Sequence, residues 1–416
     1  MQDNEKKPAL RFKGFTDPWE QRKLTNLCEK FTDGDWIEAK DQSDSGVRLV
    51  QTGNVGVTEY LDKPNNKKWI SFETFEQLHC EEVYPGDILI SRLPEPAGRA
   101  CIMPNLGTKM ITAVDCTIVR PNAVTSTRFL LQYLSSQAYF DAVNTCLAGG
   151  TRQRISRGNL AQFNVPIPSS KIEQEKIGEI LEKLDTLITL HQRKYEKLVN
   201  IKKSMLDKMF PKNGASVPEI RFKGFTDPWE QRKLSDIVEK VTEKNAGWQY
   251  IETFTNSAEF GIISQRDFFD HDISKIGSLG GYYVVHNEDF VYNPRISVTA
   301  PVGPINRNKL GRTGVMSPLY TVFRPHDIDT TYLEHFFKSE YWHSFMNFNG
   351  DSGARSDRFS IKDSVFFEMP IPTPDIEEQK KIGEFLTLLD TLITLHQRKL
   401  EKLQNIKKSC LEKMFV

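Results

Sequence analysis

The chain has 416 residues, the length of about two to three ordinary domains. Lysine plus arginine and aspartate plus glutamate both number 55, and this zero formal charge, taken alone, argues against a large nucleic-acid partner. No apolar run approaches the ~20 residues that a membrane-spanning helix needs, and the charged N-terminal residues predict no secretory signal. Six scattered cysteines without a CxxC pair argue against a zinc ribbon or a disulfide framework and indicate a reducing cytoplasm.

The chain contains an internal duplication. Residues 11–24 and 221–234 are identical, and residues 184–210 recur at 389–415 with four differences. A repeat of about 205–210 residues is far too long for a solenoid and predicts two similar units. The copies are nearly identical at their ends and divergent between them, which indicates two scaffolds that present different binding faces.

Short elements are predicted at matching places in the two copies. Residues 86–92 and 288–295 each contain an apolar, β-branched or aromatic run that predicts a strand followed by a polar loop with an Arg. Residues 129–143 and 332–346 have aromatic and aliphatic side chains at helical spacing, which predicts one buried helix in each copy. Each globular part is expected to end at a Pro-Ile-Pro run, because proline cannot continue a central strand.

After each Pro-Ile-Pro run, the sequence predicts a long helix with a heptad seam. Roughly 33 residues at 1.5 Å each would make a rod of about 50 Å. One rod cannot bury its own apolar stripe, so we expect the two helices to pair, and chain order makes the pair antiparallel with a globular domain at each end. The alternative is that each helix packs separately on its own domain. The seam residues are Leu184, Ile188, His191, Leu198, Leu389, Ile393, His396 and Leu403.

The two seam histidines invite the hypothesis of a metal site. Neither His191 nor His396 has a second His, Cys or carboxylate at ligand spacing on the same helix face. A polar position that sets the register of the helix pair is therefore the favoured interpretation. We predict no metal in this chain.

Positive charge is concentrated in particular loops. Residues 142–170 contain three Arg and no acid, and residues 290–326 contain four Arg, one Lys and no acid. Basic loops with small polar neighbours suit contacts to phosphates and base edges, and the planar fork of Arg suits guanine or phosphate. Solvated loops without a ligand are the alternative for any single Arg. The candidate DNA-binding residues are Arg92, Thr151, Arg152, Arg154, Arg157, Arg295, Arg307, Arg312, Arg355 and Arg358.

Catalytic motifs are missing from the sequence. It has no phosphate-binding P-loop, no dinucleotide-binding glycine pattern and no zinc-protease or serine-hydrolase motif. Adenine methyltransferases carry an Asn/Asp-Pro-Pro-Tyr/Phe loop. The most similar segments here are Asp-Pro-Trp at residues 17–19 and 227–229 and Asn-Pro-Arg at residues 293–295. All three lack the second proline of that motif. We predict no catalytic residue and no cofactor bound by this chain.

Several of these segments together resemble the specificity subunit of type I restriction–modification systems. The resemblance is carried by the Gly-Phe-x-x-x-Trp-x-x-x-x-Leu pattern of residues 14–24, the strand at 86–91, the loop at 150–156, and Pro-Ile-Pro before a heptad helix. It covers nearly the whole chain, although the second copy has Glu288 in place of Gly86.

The resemblance implies an α+β fold with two target recognition domains and two long helices that pair as an antiparallel coiled coil, with pseudo-two-fold symmetry. The corresponding segments are a first recognition domain at residues 1–170, a first spacer helix at 171–212, a second recognition domain at 213–370 and a second spacer helix at 371–416.

The resemblance also implies a function, which is to read a split, asymmetric sequence in double-stranded DNA, one half per domain. The implied partners are two methyltransferase subunits, which bind S-adenosylmethionine and methylate adenine at N6, and restriction subunits that translocate and cleave DNA. The runner-up hypothesis is a coiled-coil protein–protein scaffold whose basic loops bind an acidic partner, and an enzyme ranks third.

Overall fold

The computed structural model describes residues 7–150, 153–212, 214–269, 276–351 and 357–415. The chain divides into two compact units. The first consists of Met1–Arg193 together with Gln397–Val416, and the second consists of Lys194–His396. Each unit therefore combines the globular part of one repeat with a helical segment that the other repeat supplies.

The first unit contains ten strands among its described residues. They are β1 (Glu20–Lys23), β2 (Cys28–Asp33), β3 (Gln42–Ser43), β4 (Val47–Val50), β5 (Lys68–Ile70), β6 (Ile88–Ser91), β7 (Ala100–Ile102), β8 (Met110–Thr112), β9 (Cys116–Pro121) and β10 (Asn164–Ile167). The helices that begin in this unit are α1 (Phe72–Gln77), α2 (Thr127–Tyr133), α3 (Gln137–Thr145), α4 (Arg157–Ala161) and α5 (Lys171–Lys208).

The second unit also has ten strands in its described part, but its first α-helix follows the fourth strand, whereas in the first unit it follows the fifth. They are β11 (Glu230–Lys233), β12 (Val238–Lys240), β13 (Phe254–Ser257), β14 (Gly261–Ser264), β15 (Tyr283–Val285), β16 (Phe290–Tyr292), β17 (Ile305–Arg307), β18 (Gly314–Met316), β19 (Thr321–Pro325) and β20 (Pro370–Thr373). The helices that begin in this unit are α6 (Gln265–Phe269), α7 (Thr330–Lys338), α8 (His343–Asn349), α9 (Asp363–Phe366) and α10 (Ile376–Met414).

A four-stranded antiparallel sheet of the same topology forms the centre of each unit. Its strand order is β2-β9-β6-β7 in the first unit and β12-β19-β16-β17 in the second. The central strands β6 and β16 are the two that the sequence predicts, and every residue in both is buried. The units differ beside this sheet, where the first has a four-stranded sheet β3-β5-β4-β8 and the second has the pairs β13-β14 and β15-β18. The sequence-divergent middle is thus also where the topology diverges.

A buried aspartate precedes each central strand and fixes its start. In the first unit, Asp87 accepts a hydrogen bond from the Tyr84 backbone N–H and two from the Arg120 guanidinium, at 2.7 and 2.8 Å. Asp289 is bonded in the same way in the second unit, with Arg324 as the arginine. Because a buried carboxylate needs charged and hydrogen-bonding partners, this arrangement is structural and its arginines are not free for a ligand.

The single buried helix predicted in each copy is wrong, because each segment forms two helices. In the first unit, α2 ends at Tyr133 and α3 begins after Ser136, whose hydroxyl accepts the Tyr139 backbone N–H at 3.2 Å. Ser339 ends α7 in the second unit, where its hydroxyl donates to the Phe336 carbonyl. A serine side chain that forms a hydrogen bond with a nearby backbone group can start or terminate a helix in this way.

The identical 14-residue block joins the start of each unit to the base of its long helix. Arg11 donates two hydrogen bonds to the buried carboxylate of Glu173 in α5, at 2.7 and 2.8 Å. Arg221 does the same to Glu378 in α10, and the Trp229 indole N–H also donates to Glu378. The block then forms β1 or β11. β1 pairs with β10, which contains the first two residues of the Pro-Ile-Pro run, and β11 pairs with β20, which contains the whole run. The repeated sequence therefore encodes a repeated anchor.

The helix glycines that follow have a packing role. A side chain on Gly178 would lie 2.7 Å from the Phe129 backbone nitrogen, and one on Gly383 would lie 3.1 Å from the Tyr332 backbone nitrogen. Both contacts are tighter than ordinary van der Waals packing. Glycine at these positions therefore lets the long helix approach the backbone at the start of α2 or α7.

The long helices have 38 residues in α5 and 39 in α10, about 57 Å of helix each at 1.5 Å per residue. In the first unit, Ile177 and Leu181 share a core with Met414 and Phe415, and Asp185 pairs with Lys407. The segments of α5 and α10 that pair in this unit are therefore antiparallel.

The same pairing occurs in the second unit. There, Ile382 and Leu386 share a core with Phe210, and Asp390 pairs with Lys202. The predicted α+β class and the antiparallel pairing of the long helices are confirmed. Within the described ranges, no helix is both long and apolar enough to cross a lipid bilayer.

Candidate nucleic-acid interface

In the first unit, the loop between β6 and β7 lies against the loop that carries Arg154. The backbone N–H of Ile155 donates to the Arg92 carbonyl at 3.2 Å, and the Ile155 side chain is buried. Arg154, directly before this anchor, has a 62% exposed side chain. The anchored isoleucine therefore holds an exposed arginine beside the β6–β7 loop.

The second unit repeats this arrangement with different residues. The backbone N–H of Phe359 donates to the Pro294 carbonyl at 2.7 Å, and the Phe359 side chain is buried. Arg358, directly before Phe359, is exposed and forms an antiparallel bridge with the exposed Arg295 in the β16–β17 loop. Neither guanidinium has a protein partner among the described residues.

Acidic residues lie close to the arginines of the first unit, although the local sequence contains none. Arg154 is 3.7 Å from Asp115, and Arg157 is 3.8 Å from Asp33. These distances exceed a normal hydrogen bond, and the arginine side chains are 62% and 47% exposed. Loose, exposed pairs of this kind contribute little stability, so both arginines can turn toward an anionic ligand at low cost.

Arg92 has a structural environment that the sequence did not reveal. Its side chain is only 9% exposed, and its guanidinium donates to the Val114 carbonyl at 2.6 Å and lies 3.5 Å from Asp33. The predicted contact between Arg92 and DNA is therefore not supported by its position, because the group is already desolvated and bonded inside the unit.

Two predicted arginines of the second unit are also engaged. Arg307 is 8% exposed and pairs with Glu288 at 2.9 Å and with the buried Glu334 at 2.5 Å. Arg312 donates two hydrogen bonds of 2.8 Å to Glu252, which raise the pKa of Arg312 and lower the pKa of Glu252. Arg307 is thus held inside the unit, and Arg312 is held at the surface by a bidentate pair.

Three further candidates, Thr151, Arg152 and Arg355, lie outside the described residues. Of the remaining seven, the structure leaves four at the surface without a bidentate acidic partner. They are Arg154, Arg157, Arg295 and Arg358.

The tips of the β6–β7 and β16–β17 loops were not singled out from the sequence. In the first unit the tip exposes Glu95 between Pro94 and Pro96, and in the second it exposes Val298. Both residues follow equivalent central strands, so the duplicated strand pattern was the signal that could have directed attention to them. Neither is an arginine, and a search for positive charge passes over them.

The eight predicted seam residues have the burial expected of a helix pair. Leu389 is buried, and the other seven are half-buried, while many of the residues between them are exposed. Across the described ranges, no group of three or more His, Cys, Asp or Glu side chains is arranged to hold a metal ion. The six cysteines are all free thiols.

Comparison with known proteins gives a consistent result for both repeats. A family model described as the type I restriction modification DNA specificity domain matches residues 16–200 and again residues 226–405. A protein of Methanocaldococcus jannaschii described as a candidate type I restriction enzyme MjaX specificity subunit is 23% identical over 420 residues, covering 94% of this chain and 91% of its own. The MjaVIII specificity subunit of the same organism is 26% identical over 260 residues, covering 59% of this chain and 60% of its own.

Among solved structures, the S subunit of the type I restriction-modification system of M. genitalium has a similar fold. The two chains superpose with a TM-score of 0.57 at 13% identity, and the match covers 99% of each. At this identity the likeness concerns the fold alone.

Proposed function

Since the chain belongs to the family of type I restriction–modification DNA specificity domains, it is a DNA-recognition subunit, and we propose that each of its two units reads one half of a bipartite, asymmetric target. The family model matches each repeat separately, which supports two readers in one chain. The scaffold alternative is not favoured by these matches.

The observation that carries the proposal is the arrangement that recurs in both units. A buried residue anchors an exposed arginine, Arg154 or Arg358, beside the loop that follows the central strand. Arginine at such a position can bind phosphate or the O6 and N7 atoms of guanine with its planar fork. The β–β loops beside these arginines differ in length and sequence, which supports different target bases for the two units.

The proposed partners of this chain are methyltransferase and restriction subunits. The paired helices would dock two methyltransferase subunits that bind S-adenosylmethionine and methylate adenine at N6, and restriction subunits would join for cleavage. We propose that the chain itself is not catalytic, binds no cofactor and acts in the cytoplasm, where six free thiols are stable. Incubating the chain alone with DNA and S-adenosylmethionine should give no methyl transfer, and transfer would refute the non-catalytic role.

Methylome sequencing of the host with and without this gene tests the main proposal. We expect one split adenine-methylated motif to disappear with the gene. Exchanging residues 25–165 for another recognition domain should then change one half of that motif, and exchanging the second globular part should change the other half. A change in both halves after a single exchange would contradict the model of two independent readers.

Substitutions at the four exposed arginines test the site. Losing an arginine that is bidentate to guanine should weaken binding by roughly 1–3 kcal/mol and relax one target position. If substitution of Arg154, Arg157, Arg295 and Arg358 together left specific DNA binding unchanged, the proposed interface would be wrong.

A further inference from the structure

The β16–β17 loop of the second unit contains a tight turn, and Val298 lies at the tip of that turn. Ser297 and Ala300 pair on either side of the tip through backbone hydrogen bonds of 3.0 and 3.1 Å. The Ser297 hydroxyl also accepts the Ala300 N–H at 3.1 Å. These bonds fix the backbone around Val298, and its side chain is fully exposed, at 102% of the reference accessibility.

The rest of the loop is anchored in the unit. The side chains of Ala300 and Val302 are buried, and the Asn293 amide donates to the Asn256 carbonyl at 2.8 Å. A further hydrogen bond of 3.0 Å joins the Ile296 N–H to the Asp357 carbonyl. Val298 is therefore an apolar side chain that a well-held loop presents to solvent, and among the described residues of the unit no packing accounts for it.

The surroundings of Val298 suit an approach to DNA. Arg295 lies three residues before it, and the backbone of Arg295 pairs with that of Arg358. From residue 290 to residue 326 the sequence contains no acid. The loop itself contributes no carboxylate, and Arg295 and Arg358 outnumber the exposed Asp357 that lies beside it at Ile296, so the apolar tip can approach a groove of DNA.

We propose that Val298 contacts the 5-methyl group of a thymine and so specifies thymine at one position of the half-site that the second unit reads. This inference rests on the proposed function. The thymine methyl group is the apolar feature among the base edges of the major groove, where the other displayed groups are donors and acceptors. A valine side chain offers two methyl groups for that contact and makes no hydrogen bond to another base.

The test uses the full chain assembled with its own methyltransferase subunits and a duplex that contains the motif found by methylome sequencing. Each thymine of the second half-site is replaced in turn by uracil, which lacks only the 5-methyl group. At one position the replacement should weaken binding by the wild-type complex about fourfold, the effect of one lost methyl contact. The complex that carries Val298→Ala should bind the thymine duplex about as weakly as the wild-type complex binds the uracil duplex. It should no longer distinguish thymine from uracil at that position.

A matched control is Val217→Ala, which removes the same atoms from another exposed valine of the second unit. This variant should keep the full preference for thymine. The inference is overturned if no uracil replacement weakens wild-type binding, if Val298→Ala keeps the preference, or if Val298→Ala weakens binding to all sequences equally, as an apolar wedge between base steps would. Absence of any sequence-specific binding by the wild-type complex would instead refute the proposed function.

Discussion

Replacing Phe415 by Ala should destabilise the first unit, although this residue lies at the end of the second repeat. The ring is 8% exposed, and its centroid lies 5.3 Å from Phe129, 6.0 Å from Tyr133 and 6.3 Å from Trp19. Truncating a buried phenylalanine costs about 3–5 kcal/mol. We expect about 3 kcal/mol here, the lower end of that range, because the ring remains 8% exposed in the folded unit. Local opening in the first unit should then be more frequent by on the order of 10²-fold.

Hydrogen exchange measured by mass spectrometry can locate this effect. Peptides that cover β6 and β9 should exchange faster in Phe415→Ala, and peptides that cover β16 and β19 should not change. Phe210→Ala is the matched control, because Phe210 lies at the end of the first repeat and packs on Tyr332 and Phe336 in the second unit. It should produce the opposite pattern. If each substitution instead relaxed the unit of its own repeat, the assignment of the helix ends to the units would be wrong.

Three further predictions concern charged groups. Arg358→Ala should weaken DNA binding and lower the slope of log K against log salt by about 0.9 if it contacts one phosphate, whereas Arg312→Ala should change neither, because Glu252 already holds that guanidinium. Arg221→Met should lower the free energy of unfolding of the second unit by about 3 kcal/mol in denaturant titration, because it leaves a buried carboxylate without its cation. Burial lowers the pKa of His335 in the folded unit. On acidification the unfolded chain is therefore protonated at this histidine before the folded chain is, and the second unit should lose stability as the pH falls below about 6.5. His335→Gln, which installs the residue type found at the equivalent place in the first unit, should remove that part of the acid sensitivity in thermal unfolding at pH 5 and pH 8.

The sequence could predict the elements whose signal is local or repeated. The 14-residue block, the central strands and the heptad seam all have patterns that depend on near neighbours or on the second copy. The split of the predicted helices at Ser136 and Ser339 was missed, because apolar spacing continues through a break that a side-chain hydrogen bond creates.

The arginine environments could not be predicted in the same way. Residues 142–170 contain no acid, yet the fold brings Asp33 and Asp115 to within 4 Å of the arginines. Arg312 is likewise paired with Glu252, 60 positions earlier in the chain. Local charge counts therefore overestimated the free positive charge, because ion pairs form between segments that only the tertiary fold brings together.

The exchange of helix ends also affects how the chain is made. A ribosome that adds about 5–20 residues per second finishes Met1–Arg193 roughly 10–40 s before it begins Gln397–Val416, the segment that completes their core. During that interval, the apolar surface of Trp19 and Phe129 that Phe415 later covers has no permanent cover. A premature stop codon that removes Gln397–Val416 should therefore damage the unit built on Met1–Arg193, although that codon lies about 200 residues later in the chain.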